Sequence, residues 1–152
     1  MPRNWPRPEL ATDLPYLTAD NGKATSKETK IYNCIAWAAG EDFRNWWPDQ
    51  FGVGYWPPGV PRELTMSAFI QAYETNGFRL CIGGTLEDGA EKVALYGKKT
   101  VMGTEPTHAA LQLNSGEWTS KLGRFEDIEH ADIDVVNGPC YGGVVFYMSR
   151  PR

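Results

Sequence analysis

The sequence has little of what a metal centre or a disulfide-stabilised fold requires. Its 152 residues include three cysteines, Cys34, Cys81 and Cys140, and two histidines. No Cys-x-x-Cys pair occurs, and an odd number of widely spaced cysteines is not typical of a disulfide framework. We therefore predict no metal site, no cofactor and reduced thiols. Reduced thiols indicate a cytoplasmic protein or one delivered without a classical signal peptide.

Long apolar runs and an excess of positive charge are also missing. No window of 18 apolar residues exists, and the first ten residues, MPRNWPRPEL, lack the apolar core of a secretory signal. The net charge is -4, which argues against a partner that needs a basic surface. We predict no nucleic-acid partner and no membrane partner. The oligomeric state is not predicted.

The length and composition are those of one folded domain preceded by an arm. A chain of 152 residues that is 41% hydrophobic and 22% charged can bury a core without staples. The proline-rich residues 1–30 predict an extended N-terminal arm, attached through Trp5, Tyr16 and Leu17. The alternative is a loose tail. Residues 31–152 are predicted to form the single domain.

Two helices are predicted in the first half of this domain. Asn33 is a favoured N-cap residue, which places Cys34 at the first position of a short helix that Gly40 ends. A second helix is predicted from Pro61 to Asn76. The aromatic, Pro- and Gly-rich segment 43–61 between them predicts an ordered loop. It would either cover a substrate groove or form the outer layer of the core.

The second half predicts strands. Alternating or β-branched runs occur at 78–82, 92–96, 107–113, 117–122 and 143–148. Asn114-Ser115-Gly116 is a hairpin signal between the third and fourth of these runs. Helices followed by an antiparallel sheet of four to five strands predict an α+β domain.

Cys34 and His108 are the residues best suited to chemistry. A thiol at a helix start favours the thiolate, the nucleophilic form. His108 begins the amphipathic run Pro-Thr-His-Ala-Ala-Leu-Gln-Leu, where small neighbours leave room for a second group. A helix-borne cysteine and a strand-borne histidine are what nucleophilic thiol catalysis needs. The alternatives are a buried apolar Cys34, a structural His108, or a metal held by both and a carboxylate.

The order of these residues resembles the papain-like cysteine hydrolases, especially the NlpC/P60-like group. Members of that group carry a cysteine at a helix start, a histidine opening a strand and a polar residue twelve positions later. Here that position is Ser120, within Trp-Thr-Ser-Lys-Leu-Gly. The resemblance covers roughly residues 31 to 148. It implies a small papain-like α+β domain with N-terminal helices packed on an antiparallel sheet.

The segments Asn-Cys-Ile-Ala-Trp-Ala, Pro-Thr-His-Ala-Ala and Trp-Thr-Ser-Lys-Leu-Gly also resemble an uncharacterised bacterial domain family. That resemblance implies no activity. The residues around Cys34 differ from the Asp-Cys-Ser-Gly that is usual in the NlpC/P60-like group.

The resemblance also implies roles around the nucleophile. Asn33 or Tyr32 would hold an oxyanion, although Asn33 serves equally as a helix cap. Trp118 shares the face of Ser120, and Trp56 lies in the aromatic loop, so both are expected to bind substrate. Three nearby acids would raise the pKa of His130, which is predicted to be structural or, alternatively, to line the cleft. Lys121 is predicted to be solvated.

The resulting expectation is a cysteine-dependent acyl-transfer enzyme. Cys34 would be the nucleophile, His108 the base and Ser120 the group that orients His108. The substrate would be a peptide or protein, and the activity that of a peptidase, amidase or deamidase, or of an acyl transferase. The alternative is a non-catalytic binding or inhibitor module, such as a phage counter-defence protein.

Overall fold

A computed structural model describes residues 5–152 and contains mostly strands. The two α-helices and seven strands of this part of the chain are, in order, β1 (Gly22–Ala24), α1 (Cys34–Ala38), α2 (Met66–Glu74), β2 (Arg79–Cys81), β3 (Ala90–Thr100), β4 (Gly103–Gln112), β5 (Trp118–Lys121), β6 (Asp127–His130) and β7 (Gly143–Pro151). Short 3-10 helices occur at Pro8–Leu10 and Ile133–Val136.

The predicted fold class, a papain-like α+β domain with N-terminal helices on a sheet, is wrong. All seven strands form one antiparallel sheet in the order β1-β6-β5-β4-β3-β7-β2, and the helices have only five and nine residues. The protein is therefore a β-rich fold. Proline and glycine keep most of residues 39–65 out of helix, and two strands that the sequence did not reveal extend the sheet.

The helices differ in how well the sequence predicted them. Asn33 is the N-cap of α1, and its Oδ1 accepts a hydrogen bond from the backbone N–H of Ala36 at 3.0 Å, as predicted. The second helix begins at Met66 with Thr65 as N-cap, so its predicted start at Pro61 was wrong. The capping hydroxyl of Thr65, four residues after Pro61, is the stronger start signal.

The N-terminal segment packs on the sheet and contributes its edge strand β1. Residues 1–4 of the predicted arm lie outside the described residues. The Trp5 indole donates to the Gly22 carbonyl at 2.9 Å and Leu17 is buried, as predicted, but Tyr16 is 61% exposed and is no anchor. β1 pairs with β6 and forms one edge of the sheet.

The sheet carries a hydrophobic core on each face. Strand alternation directs neighbouring residues to opposite sides, so Ala109 of β4 faces α1 and α2 while Ala110 faces the N-terminal segment. We call these two sides the helical face and the arm face. The arm-face core contains Leu10, Leu14, Leu17, Ala94, Tyr96, Ala110, Trp118, Leu122, Ile128, Val135 and Val136.

β4 and β5 separate soon after the hairpin that joins them. The backbone N–H of Leu113 donates to the Glu117 carbonyl at 2.8 Å, and the strands pair at Gln112–Trp118 and Leu111–Thr119. Pairing between them stops there, while β5 continues along β6 to Lys121. The result is a gap between β4 and β5, beside which the first turn of α1 packs.

Neither α-helix in residues 5–152 has the length and apolar character needed to cross a membrane.

Candidate active site

Cys34 lies at the gap between β4 and β5. Its thiol donates to the carbonyl oxygen of Thr107 at 4.0 Å, and the backbone N–H of Ala109 is also directed at the sulfur. The register of β3 and β4 shifts so that Thr107 has no partner, which makes it the extra residue of a β-bulge. Bulges commonly re-aim a side chain beside a functional site. The sulfur therefore contacts the residue immediately before His108.

The protonation state of Cys34 differs from the prediction. The sequence predicted a stabilised thiolate, whereas burial raises the pKa of the thiol to about 11. Backbone N–H groups of Ala109, Cys34 and Ile35 act in the opposite direction, but desolvation outweighs them. At neutral pH the resting sulfur is thus a thiol.

His108 is a buried, neutral imidazole on the arm face of β4. Its Nε2 lies 3.0 Å from the Ser120 hydroxyl oxygen, and its buried Nδ1 has no hydrogen-bond partner in the part of the chain that the structure describes. Burial, together with the nearby His130, lowers the pKa of the His108 ring well below its ordinary value. The predicted pairing of His108 with Ser120 is therefore present in the structure.

His130 extends this pair, a contact that the sequence analysis missed. The Ser120 hydroxyl lies 2.8 Å from Nε2 of His130, and Nδ1 of His130 lies 2.8 Å from the backbone carbonyl of Asp132. His130 is the last residue of β6. Burial lowers the pKa of His130 despite the neighbouring Asp132, so the predicted upward shift was wrong.

A signal for His130 did exist in the sequence. Gly123 follows the strand that contains Ser120, and glycine is typical of a turn; its φ here is 58°. The hairpin around this turn pairs Trp118 with His130 and Ser120 with Ile128. Residues two apart on a strand share a face, so this register puts His130 diagonally opposite Ser120.

Tyr141 covers the buried histidine. Its ring stacks on His108 with the centroids 4.0 Å apart and an angle of 11° between the planes. Thr107 Oγ1 donates to the Tyr141 carbonyl at 2.5 Å. Burial raises the pKa of the Tyr141 phenol, and a charge on Cys34 would raise it further, which is consistent with a position close to both site residues.

The Tyr141 turn is closed by a pair of glycines. The N–H of Gly142 donates to the Gly138 carbonyl at 2.8 Å, and the reverse hydrogen bond is 3.2 Å long. Gly142 has a φ of 72°, and a Cβ there would lie 2.1 Å from the Gly97 carbonyl oxygen. No larger residue fits at this position. Tyr141 also lines a cavity of about 130 Å³ on its other side.

Asn33 and Tyr32 have structural partners. Asn33 Nδ2 donates to the Trp46 carbonyl at 2.7 Å while its Oδ1 caps α1, which favours the capping role over oxyanion binding. The Tyr32 hydroxyl donates to Asp127 Oδ2 at 2.6 Å, and burial raises the pKa of this phenol to about 12. Lys121 is fully buried, so its predicted solvation was wrong.

The two predicted substrate-binding tryptophans are core residues in this conformation. Trp56 is buried, donates to the Pro61 carbonyl at 2.9 Å and packs on Phe69. Trp118 is buried on the arm face, as the alternation predicted, and packs near Tyr147. The aromatic loop therefore forms an outer layer of the core, one of the two alternatives.

Within residues 5–152, no group of three or more His, Cys, Asp or Glu side chains has the arrangement of a metal site.

Residues 23–149 match the family described as "Domain of unknown function (DUF7689)". The chain belongs to this family. The matched range begins within β1 and ends within β7, so it includes β2 to β6 completely and all four of the residues Cys34, His108, Ser120 and His130. No curated protein and no solved structure matches the chain.

Proposed function

We propose that the protein is a cysteine-dependent acyl-transfer enzyme with Cys34 as nucleophile and His108 as base. The observation that carries this proposal is the buried Nδ1 of His108, which has no hydrogen-bond partner among residues 5–152 although Nε2 is bonded to Ser120. Buried polar atoms are nearly always paired, because an unpaired one costs about 1–3 kcal/mol. The Cys34 sulfur contacts the carbonyl of Thr107, the residue before His108, and a basic nitrogen kept free at this point of β4 has a chemical use that offsets this cost.

In the proposed reaction, the thiol turns from Thr107 to His108. His108 Nδ1 takes the proton as Sγ forms a bond to the acyl carbon of the substrate. The oxyanion accepts hydrogen bonds from backbone N–H groups near the sulfur, including that of Ala109. His108 then returns the proton to the leaving amine as the C–N bond breaks. Water, or another amine in a transferase, resolves the thioester.

The raised pKa of Cys34 and the lowered pKa of His108 favour general-base catalysis. A resting thiolate–imidazolium pair would need the opposite shifts. A neutral pair transfers its proton only as the new bond forms, which is the role of a general base. The proposed substrate class is a peptide or protein amide, as in a peptidase, amidase or deamidase.

A substrate can reach this site only after the side chains that bury it move. Cys34 is 7% exposed, His108 1% and Ser120 is fully buried. The Tyr141 ring is the contact that lies on His108, so the proposal includes displacement of the 138–142 turn before substrate binds.

The closed site also supports a second function. A module that only binds a partner or inhibits it needs no route to Cys34, and the buried, neutral cluster would then serve packing alone. An acylation experiment separates the two functions, because a binding module forms no acyl-enzyme.

The test uses p-nitrophenyl acetate as a generic acyl donor, with the acetylated residue located by mass spectrometry. We expect acetylation of Cys34 that falls about 100-fold or more in His108→Gln, since a general base contributes about 10²–10⁴. Cys81→Ala is the matched control and should acetylate at the wild-type rate. Failure of Cys34 to acetylate in both the wild type and Tyr141→Ala, or an equal rate in folded His108→Gln, would refute the enzyme.

A further inference from the structure

The hydrogen bonds of the histidine cluster have only one consistent direction at neutral pH. The Asp132 carbonyl can only accept, so Nδ1 of His130, 2.8 Å away, must carry a hydrogen and donate it. Burial lowers the pKa of His130, so this ring is neutral. A neutral imidazole carries one hydrogen, which leaves Nε2 of His130 as an acceptor.

The direction passes through Ser120 to His108. The hydroxyl has one hydrogen and lies 2.8 Å from Nε2 of His130, which can only accept, so Ser120 donates to His130. Its oxygen then accepts from Nε2 of His108 at 3.0 Å. The neutral His108 ring thus has its hydrogen on Nε2. Nδ1, the atom without a partner, is left with a free lone pair.

We propose that His130 is a positioning residue: through Ser120 it holds His108 in the tautomer whose bare Nδ1 can accept the proton of Cys34. The role in catalysis rests on the proposed function, whereas the tautomer does not. Ser120 alone cannot impose this tautomer, because a hydroxyl without a second partner donates or accepts equally well. The fixed acceptor on β6 removes that choice.

The strand register makes this contact specific. Ser120 and His130 lie diagonally across β5 and β6, on the arm face, and both are almost fully buried. The second hydrogen-bond partner of His130 is the backbone carbonyl of Asp132, which no side-chain substitution at position 132 removes. A histidine that served packing alone would not need hydrogen bonds of fixed direction at both ring nitrogens.

The test reads the tautomers directly by two-bond ¹H–¹⁵N NMR of the imidazoles in ¹⁵N-labelled protein at pH 7.5. In the wild type we expect Nε2–H on His108 and Nδ1–H on His130. His130→Leu removes the acceptor, so His108 should shift to Nδ1–H or to a mixture. His130→Gln supplies an amide oxygen near the Nε2 position and should restore Nε2–H.

The matched control is Thr119→Val, the neighbour of Ser120 whose hydroxyl faces the opposite side and accepts from Trp37. It should leave the His108 tautomer unchanged. Ser120→Ala provides a second route to the same loss if His130→Leu does not fold. Wild-type His108 in the Nδ1–H form, or an unchanged tautomer in folded His130→Leu, would overturn the proposal.

Acetylation of Cys34 in the same variants distinguishes the two proposals. We expect His130→Leu to acetylate Cys34 at least tenfold more slowly than the wild type and His130→Gln to recover most of that rate. Predicted tautomers without any acetyl-Cys34 would contradict the enzyme and leave the directed chain standing. Acetylation that is unchanged in His130→Leu would contradict the positioning role and leave the enzyme standing.

Discussion

Tyr141 lies flat on His108, with ring centroids 4.0 Å apart and planes inclined by 11°. The stacking closes the arm-face side of the histidine, and the Thr107–Tyr141 hydrogen bond ties the same residue to the strand that carries His108. One aromatic side chain, carried on a five-residue turn, therefore covers the His108 ring.

Removing this ring should expose the site. In Tyr141→Ala we expect alkylation of Cys34 by iodoacetamide to accelerate roughly 5- to 160-fold, because the contacts of the Tyr141 side chain contribute about 1–3 kcal/mol. Peptide mass spectrometry over a time course measures the rate. Tyr147→Ala removes a ring that packs on Trp118 and is the control. An unchanged Cys34 rate would show that Tyr141 is not the barrier.

The Cys34 thiol should lose its proton only at alkaline pH. Burial raises its pKa to about 11, so its alkylation rate should keep rising with pH through the alkaline range where the protein stays folded. The measurement is the pH dependence of Cys34 alkylation, separated from that of Cys81 and Cys140 by peptide mapping. A midpoint near or below the ordinary thiol value of about 8.5 would contradict the burial argument and restore the thiolate expected from the sequence.

Stability should fall as the pH drops below about 6.5. Burial lowers the pKa of both His108 and His130 in the folded state, so the unfolded chain binds more protons below the unfolded histidine value of about 6.5. Each histidine then costs about 1.4 kcal/mol of unfolding free energy per pH unit, down to its folded pKa.

Urea unfolding at pH 7.5, 6.0 and 5.5 tests this dependence. In His130→Gln the loss between these pH values should be smaller than in the wild type. Asp127, whose pKa burial raises, stabilises the protein as the pH falls and so cannot produce the loss. Equal stability at all three pH values would show that the two rings are accessible to protons in the fold.

Asn33→Ala should destabilise the protein more than the loss of an ordinary cap. Asn33 caps α1 and also bonds both backbone groups of Trp46, with distances of 3.1 and 2.7 Å. We expect a loss of about 2–4 kcal/mol in denaturant unfolding, against about 1 kcal/mol for Thr65→Ala, which removes only the cap of α2. Equal losses would contradict a role for Asn33 in holding the aromatic loop.

Local signals explain what the sequence predicted correctly. The Asn33 cap, the first position of Cys34 in its helix and the hairpin at 114–116 depend on neighbours a few residues apart. The spacing of His108 and Ser120 was also sufficient to pair them, because both lie on adjacent strands of one hairpin.

Non-local contacts explain what it missed. β6 reads Asp-Ile-Glu-His, a polar sequence that becomes a strand because β1 and β5 pair with its two sides. The pKa of Cys34 depends on how deeply α1 is buried against β4. The capping residues alone do not predict that burial. The predicted fold class was wrong for the same reason, because segments without a strong β signal add strands to the sheet.

Because cover and anchor belong to the same residue, the displacement of the turn that the proposed reaction requires breaks both contacts of Tyr141. One hydrogen bond and one stacked pair together hold it shut by about 1–3 kcal/mol. At that free energy, roughly one molecule in six to one in 160 would be open at any instant. The apparent affinity of a ligand that binds only the open form would be reduced by the open fraction. A partner that displaced the 138–142 turn would restore the full affinity.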